Sequence, residues 1–258
     1  MTSENDDDRR TRGLRMHGRV LQTEALAAAT PFMEAACDFV FGEVWNRPGL
    51  DRRARRLVTL SCVAVYGWSP AIEAYVIGAL KSGDMTTSEL REFALHFGVY
   101  AGWPAGAQVD LAISRAGAPT DDPDRETPSI PATDRRRQGQ TTARSVFGHG
   151  GLAADCALRG AGELDFVHGE VWSRPGLDRT SRRWISLSCA GLAGAAGPIE
   201  DHVQAALGSG DITLSELDEF VLHFAVYAGW PKASVVQAVV DAASQGRAHS
   251  SPMGRAGS

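Results

Sequence analysis

A 22-residue string, FGEVWNRPGLDRRARRLVTLSC, ends at Cys62 and returns as HGEVWSRPGLDRTSRRWISLSC ending at Cys189, with 15 of 22 positions identical. The displacement is 189 − 62 = 127 residues. At that same displacement GDMTTSELREFALHFGVYAGWP, ending at Pro104, returns as GDITLSELDEFVLHFAVYAGWP, ending at Pro231, with 17 of 22 identical and no gap between the blocks. A spacing kept as strictly as the letters means that loops are duplicated along with the elements they join, so two units that superimpose are expected. The 258 residues accommodate two such units of about 100 residues each. Residues 117–142 are rich in Pro, Asp, Thr and Arg and poor in groups that could pack, and read as a linker. The repeats are therefore expected over 14–116 and 143–245, between disordered ends at 1–13 and 246–258.

Each repeat reads as helices joined by short turns. Apolar residues recur at helical spacing from Leu21 to about Trp45, until Arg47-Pro48-Gly49 breaks the run. Asp51 is placed to cap a helix reaching about Tyr66, and Pro70 opens another that ends near Gly83. Thr86 with Glu89, and Thr213 with Glu216, form T-x-x-E capping boxes for the next, and a last helix follows Pro104. Strand-like alternation is absent, so the expected class is all-α.

The formal charge of −5 offers no basic surface for nucleic acid, and the run Arg135-Arg136-Arg137 lies in the expected linker. No apolar run approaches the ~20 residues of a membrane span, and the polar start lacks the apolar core of a signal peptide, so a cytoplasmic protein without membrane or nucleic-acid partners is expected. The four cysteines, Cys37, Cys62, Cys156 and Cys189, include no C-x-x-C pair, which argues against a zinc site and a dithiol centre. Cys62 and Cys189 sit in apolar helical runs and read as buried structural thiols.

The strings GEVW-x-RPGLDR, the paired arginines before an apolar helix, and SEL-x-EF-x-LHF-x-VYAGWP resemble the carboxymuconolactone decarboxylase family across nearly all of both repeats. The resemblance implies an alkylhydroperoxidase D-like helical unit that assembles into rings of three or six, so three copies of this chain would supply six repeats. It also implies loss of carbon dioxide from a lactone acid in aromatic catabolism, without metal or organic cofactor. The peroxidase branch carries a glutamate, C-x-x-C and a histidine on one helix. Matching His202 to that histidine puts the cysteines on Ala195 and Pro198 and the glutamate on Arg183, so peroxidase chemistry is not expected.

Such a decarboxylation needs a receptor for carboxylates, stabilisation of the electron-rich intermediate and a proton donor. Arginine suits the first, histidine or glutamate the last. Glu43 and Glu170 stand in the apolar string GEVW, where an ionised carboxylate needs a partner such as Arg47 or Arg174 or else an acid–base role. His96 and His223 follow Glu92 and Glu219 by four residues, so each carboxylate could orient its imidazole, although a satisfied core histidine explains the pattern equally. Arg56 and Arg183 sit near a helix start, where the dipole opposes them and some other contact must hold them. Trp230, like Trp103, Tyr100 and Tyr227, is a packing residue or a pocket wall. The halves differ at one further place, where IEAY ends at Tyr75 and IEDH at His202, and only the second keeps the histidine that the resemblance implies. The candidate catalytic set is thus Glu170, His202, His223, Glu43 and His96, and the candidate substrate-binding set is Arg174, Arg183, Arg47, Arg56, Tyr75 and Trp230. Another proton-transfer enzyme on the same scaffold (isomerase, cyclase or dehydratase) and a non-catalytic binding protein are the alternatives.

Overall fold

The computed structural model describes residues 8–23, 29–117, 130–148 and 152–250, and every regular element among them is helical. Each half follows one plan. A first helix, α1 (Arg9–Leu21) or α7 (Ala132–Phe147), lies on a π-helical segment, Ala36–Phe41 or Leu158–Val171. One short helix, α2 (Pro31–Ala35), leads into the first of these segments. Four helices then follow in each half: α3 (Arg52–Val65), α4 (Ser69–Lys81), α5 (Thr87–Ala101) and α6 (Trp103–Arg115), matched by α8 (Arg179–Ala193), α9 (Ala196–Ser209), α10 (Leu214–Ala228) and α11 (Trp230–Ser250).

Local chemistry sets the boundaries. Asp51 and Asp178 cap α3 and α8, each carboxylate accepting from the backbone N–H three residues on, at 2.6 and 2.7 Å. Both capping boxes form at α5 and α10. Gly102 and Gly229, with φ of 99° and 96°, turn one helix into the next within a single residue, a backbone that a side chain would strain.

The start of each half departs from the sequence reading. Arg9–Leu21 overlaps the stretch expected to be disordered, and Ala132–Phe147 occupies much of the expected linker. Likewise α11 runs past 245 to Ser250, and the helix expected from Leu21 to Trp45 divides into α2, the π segment and a turn of 3₁₀ helix, Val44–Asn46. Both α1 and α7 are dominated by polar residues, and tertiary contacts hold both. Gly13 and Gly139 lie so close to the π segments that a Cβ would sit 1.8 Å from the Cys37 carbonyl oxygen and 1.9 Å from that of Leu164. Arg10 and Arg136 clamp Asp38 and Asp165 at 2.8 Å. The carbonyls of Val20 and Val146 accept from Arg56 and Arg183 at 2.9 and 2.6 Å. These helix positions are 146 − 20 = 126 residues apart, whereas the arginines they meet are 183 − 56 = 127 apart. The second half therefore has one extra residue between its first helix and the rest.

The halves are not separate bodies. Helices α3 and α8 pack on each other, α10 lies on α3 and α5 lies on α8, so each half lends a helix to the other. One core runs through both and includes Leu57, Phe93 and Phe97 with Trp184, Phe220 and Phe224. No helix among the described residues is long and apolar enough to cross a membrane.

Candidate active site

The exchange of α5 and α10 brings polar residues of opposite halves together at two equivalent places. In the first cluster Arg55, only 1% exposed, donates through Nη1 to His223 Nδ1 at 3.2 Å and through Nη2 to the Arg47 carbonyl at 2.9 Å and Glu219 at 3.4 Å. Because Nδ1 accepts, the ring proton belongs on Nε2, which donates to Thr59 Oγ1 at 2.8 Å. Tyr227 Oη takes hydrogen bonds from Thr59 and from the Trp45 indole N–H, the latter at 2.7 Å. In the second cluster Arg182 donates to His96 Nδ1 at 3.3 Å, to the Arg174 carbonyl at 2.9 Å and to Glu92 at 3.2 Å. His96 Nε2 donates to Ser186 at 2.9 Å, and Tyr100 Oη takes hydrogen bonds from Ser186 and, at 2.9 Å, from Trp172. Arg47 and Arg174 close the clusters from outside, donating to Glu219 at 2.8 Å and to Glu92 at 2.6 Å.

Each carboxylate thus makes a buried guanidinium tolerable, and each guanidinium fixes an imidazole. Burial first, and then the adjacent arginine, holds His96 and His223 well below the usual histidine range, so both are neutral. The expected Glu–His contact within one helix is replaced by a bridge. Glu92 and Glu219 act on their histidines through Arg182 and Arg55 of the opposite half.

Beyond these networks the clusters differ. In the second, six rings close a circuit of contacts: His96 to Tyr100 at 5.2 Å between centroids, Tyr100 to His202 at 5.7 Å, His202 to Phe147 at 5.5 Å, Phe147 to His168 at 5.6 Å, His168 to Trp172 at 6.2 Å and Trp172 to His96 at 4.9 Å. Burial pushes both His168 and His202 down to about 4, with the Arg183 charge adding to the shift of His202. His168 Nδ1, His202 Nδ1 and Arg183 Nη1 are buried without a partner. The three imidazoles do not converge as metal ligands would.

In the first cluster, the register puts Phe41 where the second has His168, Tyr75 where it has His202, and Leu21 where it has Phe147. Tyr227 Oη, which accepts from Trp45, also shares a hydrogen bond with Tyr75 Oη at 3.1 Å in which either hydroxyl can donate. Phe41 and Trp45 form an apolar knot with Val20, against which Leu21, Tyr75 and Tyr227 pack. Arg56 spends its nitrogens on Asp84, Ser82 and the carbonyls of Val20 and Arg19. One imidazole lacks partners here, that of His17 on α1, which meets Phe41 edge-on at 4.9 Å and has Ala143 as its counterpart.

Several residues singled out from sequence stand elsewhere. Glu43 and Glu170 do not enter either cluster but pair with Arg9 and Arg135 at 2.7 and 2.6 Å, partly exposed, because α1 and α7 supply nearer cations than Arg47 and Arg174. Trp230 is 55% exposed at the start of α11 and meets Phe39, whereas the aromatic rings against the clusters are Tyr100, Tyr227, Trp45 and Trp172. Arg56 and Arg183 find the contact their position demands in Asp84 and Asp211, each at 2.7 Å. His96, His223, His202 and Tyr75 do lie in the clusters. Arg55, Arg182, Thr59, Ser186 and His168 are the members that sequence reasoning passed over. A groove of about 510 Å³ lined by Ala196, Glu200, Gln204 and residues of α11 lies on the face of α9 turned away from His202, and it touches none of this chemistry.

Comparison with known sequences agrees with the duplication. A family model described as "Carboxymuconolactone decarboxylase family" matches residues 30–113 and again 164–242, together well over half the chain. The chain is 32% identical to a 4-carboxymuconolactone decarboxylase of Acinetobacter baylyi over 109 residues, covering 39% of this chain and 81% of that protein. It is 35% identical to the nitrosuccinic acid decarboxylase npaB of Metarhizium robertsii over 111 residues, covering 40% of this chain and 77% of that protein.

Proposed function

We propose that this chain, which belongs to the carboxymuconolactone decarboxylase family, is a decarboxylase of a small organic acid and that it works at the second cluster. The observation that carries the reading is a guanidinium nitrogen, Arg183 Nη1, left without a partner in the same buried site as two neutral imidazoles, His168 and His202, whose Nδ1 atoms also lack one. Buried polar groups without partners are rare in folded proteins, and a guanidinium and two imidazoles gathered in one site suit an anionic ligand that would supply the missing bonds. Both similar proteins are named for the decarboxylation of acids.

The chemistry follows from charge. A carboxylate entering the site meets the Arg183 nitrogen, and its negative charge raises the pKa of His202, which takes up a proton together with the substrate. Heterolysis of the bond to the carboxyl carbon releases carbon dioxide and leaves the electron pair on the substrate, spread into an adjacent electron-withdrawing group. The Tyr100 hydroxyl, whose oxygen already accepts from Trp172 and Ser186, donates its proton as a hydrogen bond to the developing charge. His202 then returns its proton to the carbon, so that carboxylate plus proton becomes carbon dioxide plus the C–H product, and the imidazole is neutral again.

The test is release of carbon dioxide from a panel of small acids that includes 4-carboxymuconolactone and nitrosuccinic acid. Labelled carbon dioxide from at least one of them supports the reading. Consumption of an acid without carbon dioxide would replace it with another proton-transfer reaction.

A further inference from the structure

We propose that the chain carries one carboxylate receptor rather than two, and that His168, a residue with no polar counterpart in the first half, completes it. The inference rests on the second cluster being the working site, and it concerns which residues make it one.

The two clusters share an arginine–histidine–hydroxyl–tyrosine network, so that network does not distinguish them. What distinguishes them is the wall opposite. In the first half Tyr227 and Tyr75 hydrogen-bond to each other, Phe41 replaces an imidazole with hydrocarbon, and the Arg56 guanidinium is spent on two carbonyls, Asp84 and Ser82. At these three positions the hydrogen bonds that a bound anion would make are already made from within or replaced by hydrocarbon, which leaves His17 on α1 as an open imidazole with no open Arg56 nitrogen beside it. In the second half the same three positions leave donors open. Arg183 gives Nε to Asp211 and Nη2 to Ser209 and the Val146 carbonyl, which leaves Nη1 without a partner. His202 has no hydroxyl to give to Tyr100. His168 sits on the π-helix with one face on Trp172 and its edge on Phe147, and its unpartnered Nδ1 lies in the ring circuit that includes His202. A neutral imidazole can place an N–H at Nδ1 or at Nε2, and an anion selects the tautomer that donates to it. A guanidinium and two such N–H groups match the lone pairs of one carboxylate. The first cluster is then a filled counterpart that ties α10 to α3.

Calorimetric titration with succinate as the probe tests this on the full-length chain. The expected result is one equivalent bound per chain, with affinity reduced about tenfold or more in His168→Phe, the loss of one hydrogen bond to a charged group. Phenylalanine is the residue that the first half already accommodates at this position, and circular dichroism monitors folding. His168→Gln, which keeps an N–H donor, should restore most of the affinity, and Tyr75→Phe should leave both stoichiometry and affinity unchanged. Two equivalents per chain, no binding of succinate, or undiminished affinity in His168→Phe would each overturn the proposal. One equivalent bound with no carbon dioxide released from any acid would keep this inference and remove the decarboxylase reading. Carbon dioxide release unimpaired by His168→Phe would do the reverse.

Discussion

Stability should fall steeply as pH drops below the ordinary histidine range, and His168 with His202 should account for a defined part of the fall. Both are held near 4 by burial, against 6.5 for the free side chain. Between those values the unfolded chain binds a proton at each residue that the folded chain does not, so unfolding free energy decreases as pH falls through that window. At pH 5.5, one unit below 6.5, the unfolded state gains about 1.4 kcal/mol per residue, or about 3 kcal/mol for the pair. His168→Phe/His202→Tyr removes both groups and replaces them with the residues that the first half carries at these positions. His17, His96 and His223 are also depressed, chiefly by burial that both proteins share, so their contributions largely cancel in the comparison. Urea unfolding at pH 8 and pH 5.5, followed by circular dichroism, should show the wild type losing about 3 kcal/mol more than the double variant between the two conditions. Parallel losses in the two proteins would refute the assignment of these imidazoles as buried and neutral.

Glu219→Ala leaves Arg55 charged, 1% exposed and without its carboxylate, and should cost about 3–5 kcal/mol in denaturant unfolding, far beyond a surface ion pair. Gly13→Ala and Gly139→Ala push a methyl group into the carbonyls of Cys37 and Leu164, and each should lower stability by about 1–3 kcal/mol in the same assay by displacing α1 or α7. Tyr66, Trp68 and Leu111 expose broad apolar surfaces, and light scattering is predicted to give an assembly near three times 27.5 kDa, with a stable monomer at micromolar concentration refuting it.

The duplication, the capping aspartates and both capping boxes were legible because each is a local pattern whose physics is complete within a few residues. The first helix of each half was not. RRTRG and RRRQG offer almost no apolar face, and what holds them, the glycine approach to the π segments and the clamps to Asp38 and Asp165, is tertiary. The clusters were legible only in part for the same reason. His223 meets Arg55 across 168 residues of chain and His96 meets Arg182 across 86, so spacing along one helix pointed to Glu92 and Glu219 as direct partners when each reaches its histidine through an arginine. His168 did leave a trace in the letters. Its counterpart is Phe41, a polar-for-apolar difference between otherwise matched halves, and this is the signal that separates His202 from Tyr75.

The most direct measurement is the rate of carbon dioxide release, from whichever small acid is turned over fastest, by the wild type, His202→Ala and Tyr75→Phe at neutral pH. These residues occupy equivalent places, one in each cluster, so the comparison asks which cluster performs the chemistry. A loss of about 100-fold or more in His202→Ala, with Tyr75→Phe within about twofold of wild type and both proteins folded, is the predicted result. Equal rates for the two variants, or a larger loss in Tyr75→Phe, would contradict a working site in the second cluster.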